Sequence, residues 1–331
     1  MKIKKLLLSA VAVSLALFAL CSCGEMSELR LGTGNPGGIY YAYGSMLREL
    51  DESGINVKKT EGSMANMRLL GEGFLDLAIV QSDVLAEAAT GTGDFSGEPV
   101  DSVRAVAGLY YEAFQVIVRS DSDIIDIADL KGRIVSVGEE GSGVSKNADY
   151  LLQSAGIPAA SVERVNMSYA ESAAALEQGD IDAFFVILGA PSTVVTELAD
   201  STDIRFLQLD ERTISAMTNI YNGYYSMIIP AGTYRGQDED IATIGVKAVL
   251  AADSRVSSDK IRGVTSLLFD NVSSIKYTVP VTEPDMEFAV TDIPCGFHDG
   301  AAEYYADNGV TVATGFTADG IYFAGNTEQG G

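Results

Sequence analysis

From Ser27 onward the chain alternates between two patterns: short apolar runs, and segments in which apolar residues recur every three or four positions. The runs predict strands, and the periodic segments predict helices. In the first block we predict strands at 29–31, 55–57, 75–80, 103–109 and 115–118, and helices at 39–50 and 64–70. Strands that alternate with helices are typical of an α/β protein with largely parallel sheets.

A second block begins near Asp121 and repeats this pattern. We predict strands at 134–137, 181–188 and 204–209, and a helix at 144–155. The run at 181–188 is almost continuously apolar, as expected of a strand that helices cover on both faces. A third stretch opens with a strand at 224–229. Its two predicted helices are marked by Ile241, Ile244 and Ala248, and by Ile261, Val264, Leu267 and Leu268.

The length of 331 residues exceeds what one hydrophobic core usually holds, so we expect two lobes. If the third stretch folds back onto the first block, the second block is an inserted lobe, entered near 115–118 and left near 221–229. The predicted fold is an α/β two-lobe clamshell, each lobe a mixed, mostly parallel sheet flanked by helices. The predicted limits are 27–118 plus 222–331 for lobe one and 119–221 for lobe two.

The beginning of the chain has the layout of a secretory signal. Lys2, Lys4 and Lys5 precede an uncharged apolar segment at 6–20, which is too short to span a bilayer comfortably. Residues 1–22 are therefore predicted to be a signal peptide, which implies export from the cytoplasm.

The segment Leu20-Cys21-Ser22-Cys23-Gly24 resembles the bacterial lipobox. Cys23 fits its frame, with leucine three positions before it and a small residue directly before it, whereas Cys21 follows a leucine. We therefore expect lipid on Cys23 to anchor the protein outside a bacterial membrane. The alternative is an ordinary signal peptide with two incidental cysteines.

Charge and cysteine content narrow the possible partners. The net charge is −24, and loss of a signal that carries three lysines and no acid makes it more negative. So acidic a surface argues against nucleic acid and anionic membrane surfaces as partners. Beyond the signal and the lipid site only Cys295 remains, which allows no internal disulfide. Between Pro294 and Gly296, it is expected to be a small apolar side chain in a packed turn.

Four loops of small residues each follow a predicted strand and precede a helix: 32–38, 61–66, 141–145 and 189–192. Ligands of open α/β sheets bind outside the carboxyl ends of the strands, where these loops must lie. The unpaired N–H groups of a helix start can bind a carboxylate or another anion, and glycine permits its close approach. The alternative is that glycine and serine simply make tight turns and helix caps.

The same residues give little support for catalysis. Gly32-x-Gly34-x-x-Gly37 is formally a dinucleotide fingerprint, but Pro36 lies inside the loop. Residues 138–146 lack the Gly-Lys-Ser/Thr of a phosphate-binding loop. With His298 as the single histidine, neither a Ser-His-Asp triad elsewhere nor a multi-histidine metal site can be built. We predict no catalytic residue, no metal and no cofactor, and hence no enzyme.

These loops, taken together, resemble the TAXI family of solute receptors, which serve TRAP-type transporters. The resemblance runs from about Leu31 to Tyr305. Its pieces are Gly32-Thr33-Gly34, Gly37-Gly38, Tyr40-Tyr41, Thr60-Glu61-Gly62-Ser63, Asn66, Asp76-Leu77-Ala78, Gln81-Ser82-Asp83, Asp129-Leu130-Lys131-Gly132, Val135-Ser136-Val137-Gly138, Gly141-Ser142-Gly143, Ile181-Asp182-Ala183-Phe184-Phe185, Gly232-Thr233-Tyr234, His298-Asp299-Gly300-Ala301 and Tyr304-Tyr305. Each piece is modest, but their joint order is specific.

The resemblance implies a clamshell of the type II periplasmic-binding-protein kind and a TRAP-type permease as membrane partner. It also implies amino-acid or dicarboxylate ligands such as glutamate or 2-oxoglutarate. Carried over by position, the ligand-binding residues are Thr33, Gly34, Gly38, Tyr40, Ser63, Asn66, Gln81, Ser142, Gly143, Val144 and Gly189. A non-transport sensory receptor and an exported enzyme on the same fold are the alternatives.

The sequence departs from this family at the predicted cradle of lobe two. Val144 stands where the family pattern leads us to expect threonine, which removes one hydroxyl. Glu139 and Glu140 lie just before the cradle and would oppose an anionic ligand unless they point to solvent.

The lipobox resemblance makes a direct prediction. Cys23→Ala removes the thiol to which lipid would attach, so the variant should be released from the membrane or processed incorrectly. Fractionation and metabolic labelling with a lipid precursor measure both effects, with Cys21→Ala as the matched control. Retention of the Cys23 variant in the membrane with undiminished lipid label would show that the anchor lies elsewhere.

Overall fold

The computed structural model describes residues 28–51, 54–220, 223–279, 281 and 285–315. The predicted signal and Cys23 therefore lie outside the described residues. The strands are β1 Leu29–Gly32, β2 Ile55–Lys58, β3 Leu77–Gln81, β4 Val103–Arg119, β5 Ile134–Ser136, β6 Glu163–Val165, β7 Ala183–Leu188, β8 Ile204–Leu207, β9 Tyr224–Ile229 and β10 Ile241–Asp253. The helices are α1 Ile39–Leu50, α2 Ser63–Gly71, α3 Ser82–Thr90, α4 Gly143–Ser154, α5 Tyr169–Gln178, α6 Thr193–Ser201, α7 Glu211–Ile220, α8 Ser258–Asp270, α9 Val272–Thr278, α10 Met286–Val290 and α11 Asp299–Asp307.

All of these strands join in one mixed sheet of order β2-β1-β3-β10-β4-β7-β5-β6, with β8 also on β4 and β9 also on β10. Near its two ends the sheet is parallel: β1 pairs with β2 and β3, and β5 pairs with β6 and β7. Around β4 and β10 the pairing is antiparallel. Helices alternate with the parallel strands, because a parallel pair needs a crossover. The predicted mixed α/β fold is confirmed.

The two ends of the sheet have separate hydrophobic interiors. Lobe one is built around β1, β2 and β3, and its core includes Leu31, Leu47 and Leu77. Lobe two is built around β5, β6 and β7, and its sheet is covered on both faces. Phe185 points to one of its cores and Phe184 to the other, because successive side chains of a strand alternate between faces. The apolar run of β7 is thus a strand covered on both faces, as its sequence predicted.

Two predicted elements in the centre of the sheet were wrong. Residues 103–109 and 115–118 are not two strands but parts of the single strand β4, because the residues between them also pair with neighbouring strands. Residues 241–253 form β10 rather than a helix. Ile241, Ile244 and Ala248 happen to have helical spacing within a run that is buried almost throughout, where periodicity cannot separate the two structures.

These corrections change how the lobes connect. Both β4 and β10 run from one lobe into the other. Tyr224, Ile244 and Val246 pack in a core of lobe two, although the sequence prediction placed this part of the chain in lobe one. The limits of the two lobes stay a prediction.

His298 and Cys295 both belong to the packing of lobe one. Cys295 is buried, which raises the pKa of its thiol to about 12, as suits a small apolar side chain. His298 caps the start of α11: its Nδ1 accepts the Gly300 N–H at 3.1 Å, so its Nε2–H donates to the Val256 carbonyl at 3.1 Å. None of the described helices is both long and apolar enough to cross a membrane.

Burial lowers the pKa of His298 below its ordinary value. The imidazole of His298 therefore binds a proton more readily in the unfolded chain than in the folded protein. As pH falls through the ordinary histidine pKa toward the lower pKa of folded His298, the stability that the neutral imidazole provides is lost. His298→Asn keeps an acceptor for the Gly300 N–H but cannot titrate. We expect it to be about 1 kcal/mol less stable than the native protein near pH 8. Thermal unfolding should show this gap shrinking toward about pH 5.

A gap that stays constant across this range would contradict the lowered pKa of His298 in the folded protein. Ligand affinity is the control: since His298 does not line the cavity described below, His298→Asn should bind ligand within a few-fold of the native protein.

Candidate functional site

A cavity of about 590 Å³ lies between the two lobes, at the carboxyl ends of the parallel strands. It is lined by Gly34, Asn35, Pro36, Gly37, Gly38, Ile39, Tyr40, Lys59, Glu61, Gly62, Ser63, Gln81, Glu112, Glu139, Ser142, Gly143, Val144, Met167, Ser168, Tyr169, Ala170, Glu171, Ile187, Leu188, Thr193, Val194 and Glu197. Three of the four loops of small residues contribute to it, two from lobe one and one from lobe two. The inter-lobe cleft expected from the sequence is therefore present as a cavity.

In lobe one, the cavity wall includes the starts of α1 and α2. The N-cap residues of these helices are Gly38 and Gly62, and among the described residues no side chain caps either helix. Gly62 has φ 107°, a conformation that other residues rarely adopt. The N–H groups of both first turns thus lack a side-chain acceptor at the cavity wall, where the helix dipole favours negative charge.

In lobe two, the wall includes the starts of α4, α5 and α6. Here two helices carry their own caps: Ser142 Oγ accepts the Ser145 N–H at 3.2 Å, and Ser168 forms a capping box with Glu171. The start of α6 at Thr193 has no side-chain cap within the described chain. Ser142 Oγ also donates to the Glu139 carbonyl at 2.6 Å, so its hydroxyl holds the loop in shape.

Eight of the predicted ligand-binding residues lie together at the cavity: Gly34, Gly38, Tyr40, Ser63, Gln81, Ser142, Gly143 and Val144. Tyr40 and Ser63 are joined by a hydrogen bond of 3.3 Å between their hydroxyls. The Ser63 hydroxyl also accepts the Gln81 N–H at 3.0 Å. These bonds tie α1, α2 and β3 to one another.

The structure does not bring Thr33, Asn66 and Gly189 to the cavity wall. Asn66 is fully buried beneath it, where its amide donates to the carbonyls of Thr33 at 2.7 Å and Ile79 at 2.8 Å. It thereby ties the ends of β1 and β3 together. The Thr33 hydroxyl donates to the Lys58 carbonyl at 2.9 Å. Gly189 packs against Val281, which a Cβ at this position would approach to 2.7 Å.

Sequence reasoning missed Glu112 and Tyr169, which both line the cavity. Tyr169 donates from its hydroxyl to the Ile187 carbonyl at 3.2 Å and spans α5 and β7. Its position gave no sequence signal. Glu112 did give one, because it is the one charged residue in the run from 105 to 118, and an isolated acid in a buried strand requires a reason.

The charged residues that line the cavity are mainly acidic. Within the described part of the chain, it holds five glutamates, Glu61, Glu112, Glu139, Glu171 and Glu197, and one cation, Lys59. Burial raises the pKa of Glu139 and raises that of Glu112 to about 8. Hydrogen bonds from Ser168 keep the pKa of Glu171 below its ordinary value.

Glu139 was expected to oppose an anionic ligand unless it pointed to solvent. It instead accepts a hydrogen bond from the Asn35 amide across the cleft, and so joins lobe two to lobe one. Its neighbour Glu140 is exposed and does not line the cavity.

Behind the cavity the two lobes touch through buried polar groups. Lys146 of α4 lies 2.6 Å from Asp83 of α3, and their side chains are 4 % and 1 % exposed. Asn147 donates to the Gln81 amide oxygen at 3.3 Å and to Asp83 at 3.2 Å. A Cβ on Gly143 would stand 1.8 Å from the Gln81 amide oxygen, so glycine is what permits this approach. In the described structure the lobes are thus in contact both behind the cavity and, through Asn35 and Glu139, across it.

The fold resembles several solved structures at low sequence identity. A protein from Bordetella bronchiseptica RB50 is 16% identical, with 89% of this chain and 86% of that chain covered and a TM-score of 0.53. For a structure described as a periplasmic transporter the identity is 14%, the coverage 80% and 90%, and the TM-score 0.51. The alkanesulfonate-binding protein from Xanthomonas axonopodis pv. citri bound to MOPS is 18% identical, with 79% and 82% covered and a TM-score of 0.46.

At these identities the likeness to solved structures shows the fold alone, which is the two-lobe α/β architecture described above. A family assignment comes from the sequence itself. The model of the NMT1-like family matches residues 31–309, a range that contains most of both lobes and every residue of the cavity lining. The chain therefore belongs to the NMT1-like family.

Proposed function

We propose that this protein is a solute-binding receptor outside the cytoplasmic membrane, not an enzyme. It captures a small polar ligand, an amino acid such as glutamate or a dicarboxylate such as 2-oxoglutarate, between its two lobes. It is a TAXI-type receptor that delivers this ligand to a TRAP-type permease, and lipid on Cys23 holds it at the membrane.

The observation that carries this proposal is the cavity between the lobes. Its volume of about 590 Å³ lies within the range of ~300–1,000 Å³ usual for small-molecule sites. Both lobes contribute to its wall, so a ligand inside it stabilises the closed form by contacting both. This coupling of binding to closure is what a receptor needs if a membrane partner is to recognise its loaded state.

The uncapped starts of α1, α2 and α6 support a ligand with a carboxylate or a similar anion. Their free N–H groups and helix dipoles favour negative charge at the wall. The Tyr40 and Ser63 hydroxyls lie beside two of these starts and add polar groups that can orient a ligand. Assignment to the TAXI type and to a TRAP-type permease is supported by the sequence resemblance from Leu31 to Tyr305.

The role of closure can be tested at Gly143. Gly143→Ala places a methyl group where the Gln81 amide oxygen lies, which must push Gln81 aside or hold the lobes apart. We expect roughly a tenfold or greater loss of affinity, ~1.4 kcal/mol. Calorimetry with L-glutamate and 2-oxoglutarate measures the affinity, and small-angle scattering measures the compaction on binding.

Gly263→Ala is the matched control, because Gly263 lies in α8 and a Cβ there meets nothing within 4 Å. Equal binding and equal compaction by both variants and the native protein would refute closure through Gly143. If no amino acid or dicarboxylate binds, and native mass spectrometry of the purified protein shows no small ligand, the receptor function itself is wrong.

A further inference from the structure

Glu112 is a buried acid at the middle of the crossing strand β4. Its side chain lines the cavity although the residue is only 2 % exposed. A carboxyl group so far from water is costly unless its charge is compensated. The proposed function as stated above gives it no role.

The polar groups around Glu112 are arranged as donors to it. The Tyr40 hydroxyl donates to Glu112 Oε2 at 2.9 Å. The Gln81 side chain also lies near Glu112, where it lowers the pKa of that carboxyl. Asn147 donates to the Gln81 amide oxygen, so the NH₂ group of Gln81 is the part that faces the carboxyl. The Tyr40 hydrogen bond and the nearby Gln81 amide thus suit an ionised carboxylate.

A positive charge is what this site lacks. Across the described residues, Glu112 forms no ion pair with any lysine or arginine. In the ladder between β10 and β4, Lys247 pairs with Tyr111, whose side chain lies on the face of the sheet opposite to that of its neighbour Glu112. Lys247 is therefore on that opposite face, where it donates to the carbonyls of Phe288 and Thr291. Lys146 already pairs with Asp83 and with Glu87 at 3.1 Å.

The tyrosines that face Glu112 do not supply a positive charge either, because a phenol is either neutral or anionic. Burial raises the pKa of the phenols of Tyr40 from α1, Tyr110 from β4 and Tyr169 from α5, so all three are neutral. Burial and the negative charge of Asp83 from α3 raise the pKa of Glu112 to about 8. Burial therefore favours the neutral form of Glu112, although the Tyr40 hydroxyl is placed to donate to its carboxylate.

We propose that Glu112 receives a cationic group of the ligand, so that the cavity selects a compound carrying an ammonium group over a keto acid of the same shape. This inference rests on the proposed function and narrows its ligand class to amino acids and related amines. The ammonium group donates to the Glu112 carboxylate, while the ligand's own carboxylate lies at the uncapped helix starts.

The binding step balances as a proton release. Before binding, Glu112 is a neutral carboxyl group and the ligand carries a cationic ammonium group. After binding, the Glu112 carboxylate is paired with that ammonium group, and one proton has been released to solvent. The other charged residues of the lining also favour a cationic ligand group. Four further glutamates line the cavity, and Lys59 is its one cation within the described chain.

The test uses matched probe pairs that differ in this one group: L-glutamate and 2-oxoglutarate, L-alanine and pyruvate, L-leucine and 4-methyl-2-oxopentanoate. Calorimetry at pH 7 gives affinity, and repetition in phosphate and Tris buffers counts protons through their different ionisation enthalpies. In the pair that binds, we expect the amino acid to bind at least ~30-fold more tightly. Protons should be released on binding, because burial raises the pKa of Glu112 and the ligand's ammonium group stabilises its charged form.

Glu112→Gln keeps the shape of the side chain but removes its charge. It should lower amino-acid affinity by ~30-fold or more, abolish proton release and leave keto-acid affinity equal or higher. Glu112→Asp should restore part of the proton release. Glu49→Gln, an exposed change on α1 outside the lining, is the matched control and should change none of these values. Thermal unfolding checks that each variant is folded.

Tighter binding of the keto acid, or an amino-acid preference that survives Glu112→Gln in a folded protein, would overturn this inference and leave the receptor function standing. If no probe of any pair binds to the native protein, the proposed ligand classes fail and the inference falls with them.

Discussion

The antiparallel pairing of β4 with β10 is the constraint on which the rest of the structure depends. Both strands run through the whole molecule, and their ladder extends from Val103 opposite Asp253 to Ala113 opposite Gly245. Two register shifts interrupt it in lobe one, and such bulges increase local twist. Because side chains alternate along a strand, this register places Glu112 on the cavity side and Lys247 on the other, and so separates an acid from a cation that could neutralise it.

Contact between the lobes relies on buried polar groups rather than on an apolar seam. Taking Lys146 and Asp83 out of water is costly, and breaking such a pair by removing one partner typically costs ~3–5 kcal/mol. Asn147 and Tyr224 donate further hydrogen bonds to Asp83, which offset part of that cost. Hydrogen bonds and ion pairs depend on distance and direction more than apolar contacts do. A contact built from them therefore favours one arrangement of the lobes over many similar ones.

The cavity wall has electrostatic features of both signs. Its uncapped helix starts favour an anion, and its glutamates favour a cation. A dicarboxylate would match the helix starts and oppose the glutamates. A zwitterion would match both. The family resemblance alone does not distinguish these two ligand classes; the distinction comes from a residue outside its motifs.

Much of the fold was predictable because local rules govern it. Gly38, Gly62 and Ser142 precede helices for reasons of turn chemistry, and their loops were found from sequence. The strand β10 was not, since a segment buried on both faces loses the alternation that identifies a strand. The division of β4 into two predicted strands was wrong for a related reason. Only pairing across the sheet shows that the chain continues without a break from one lobe into the other.

The sequence by itself determined the α/β class and three of the loops that line the cavity, because these follow from apolar spacing and from the conformations that glycine and serine permit. Only the tertiary structure decided which residues of those loops reach the cavity. Asn66 lies beneath the wall and Glu112 within it, although one belongs to a recognised motif and the other to none. Burial and strand register depend on residues far apart in the chain, so no local pattern can reveal which side chain meets the ligand.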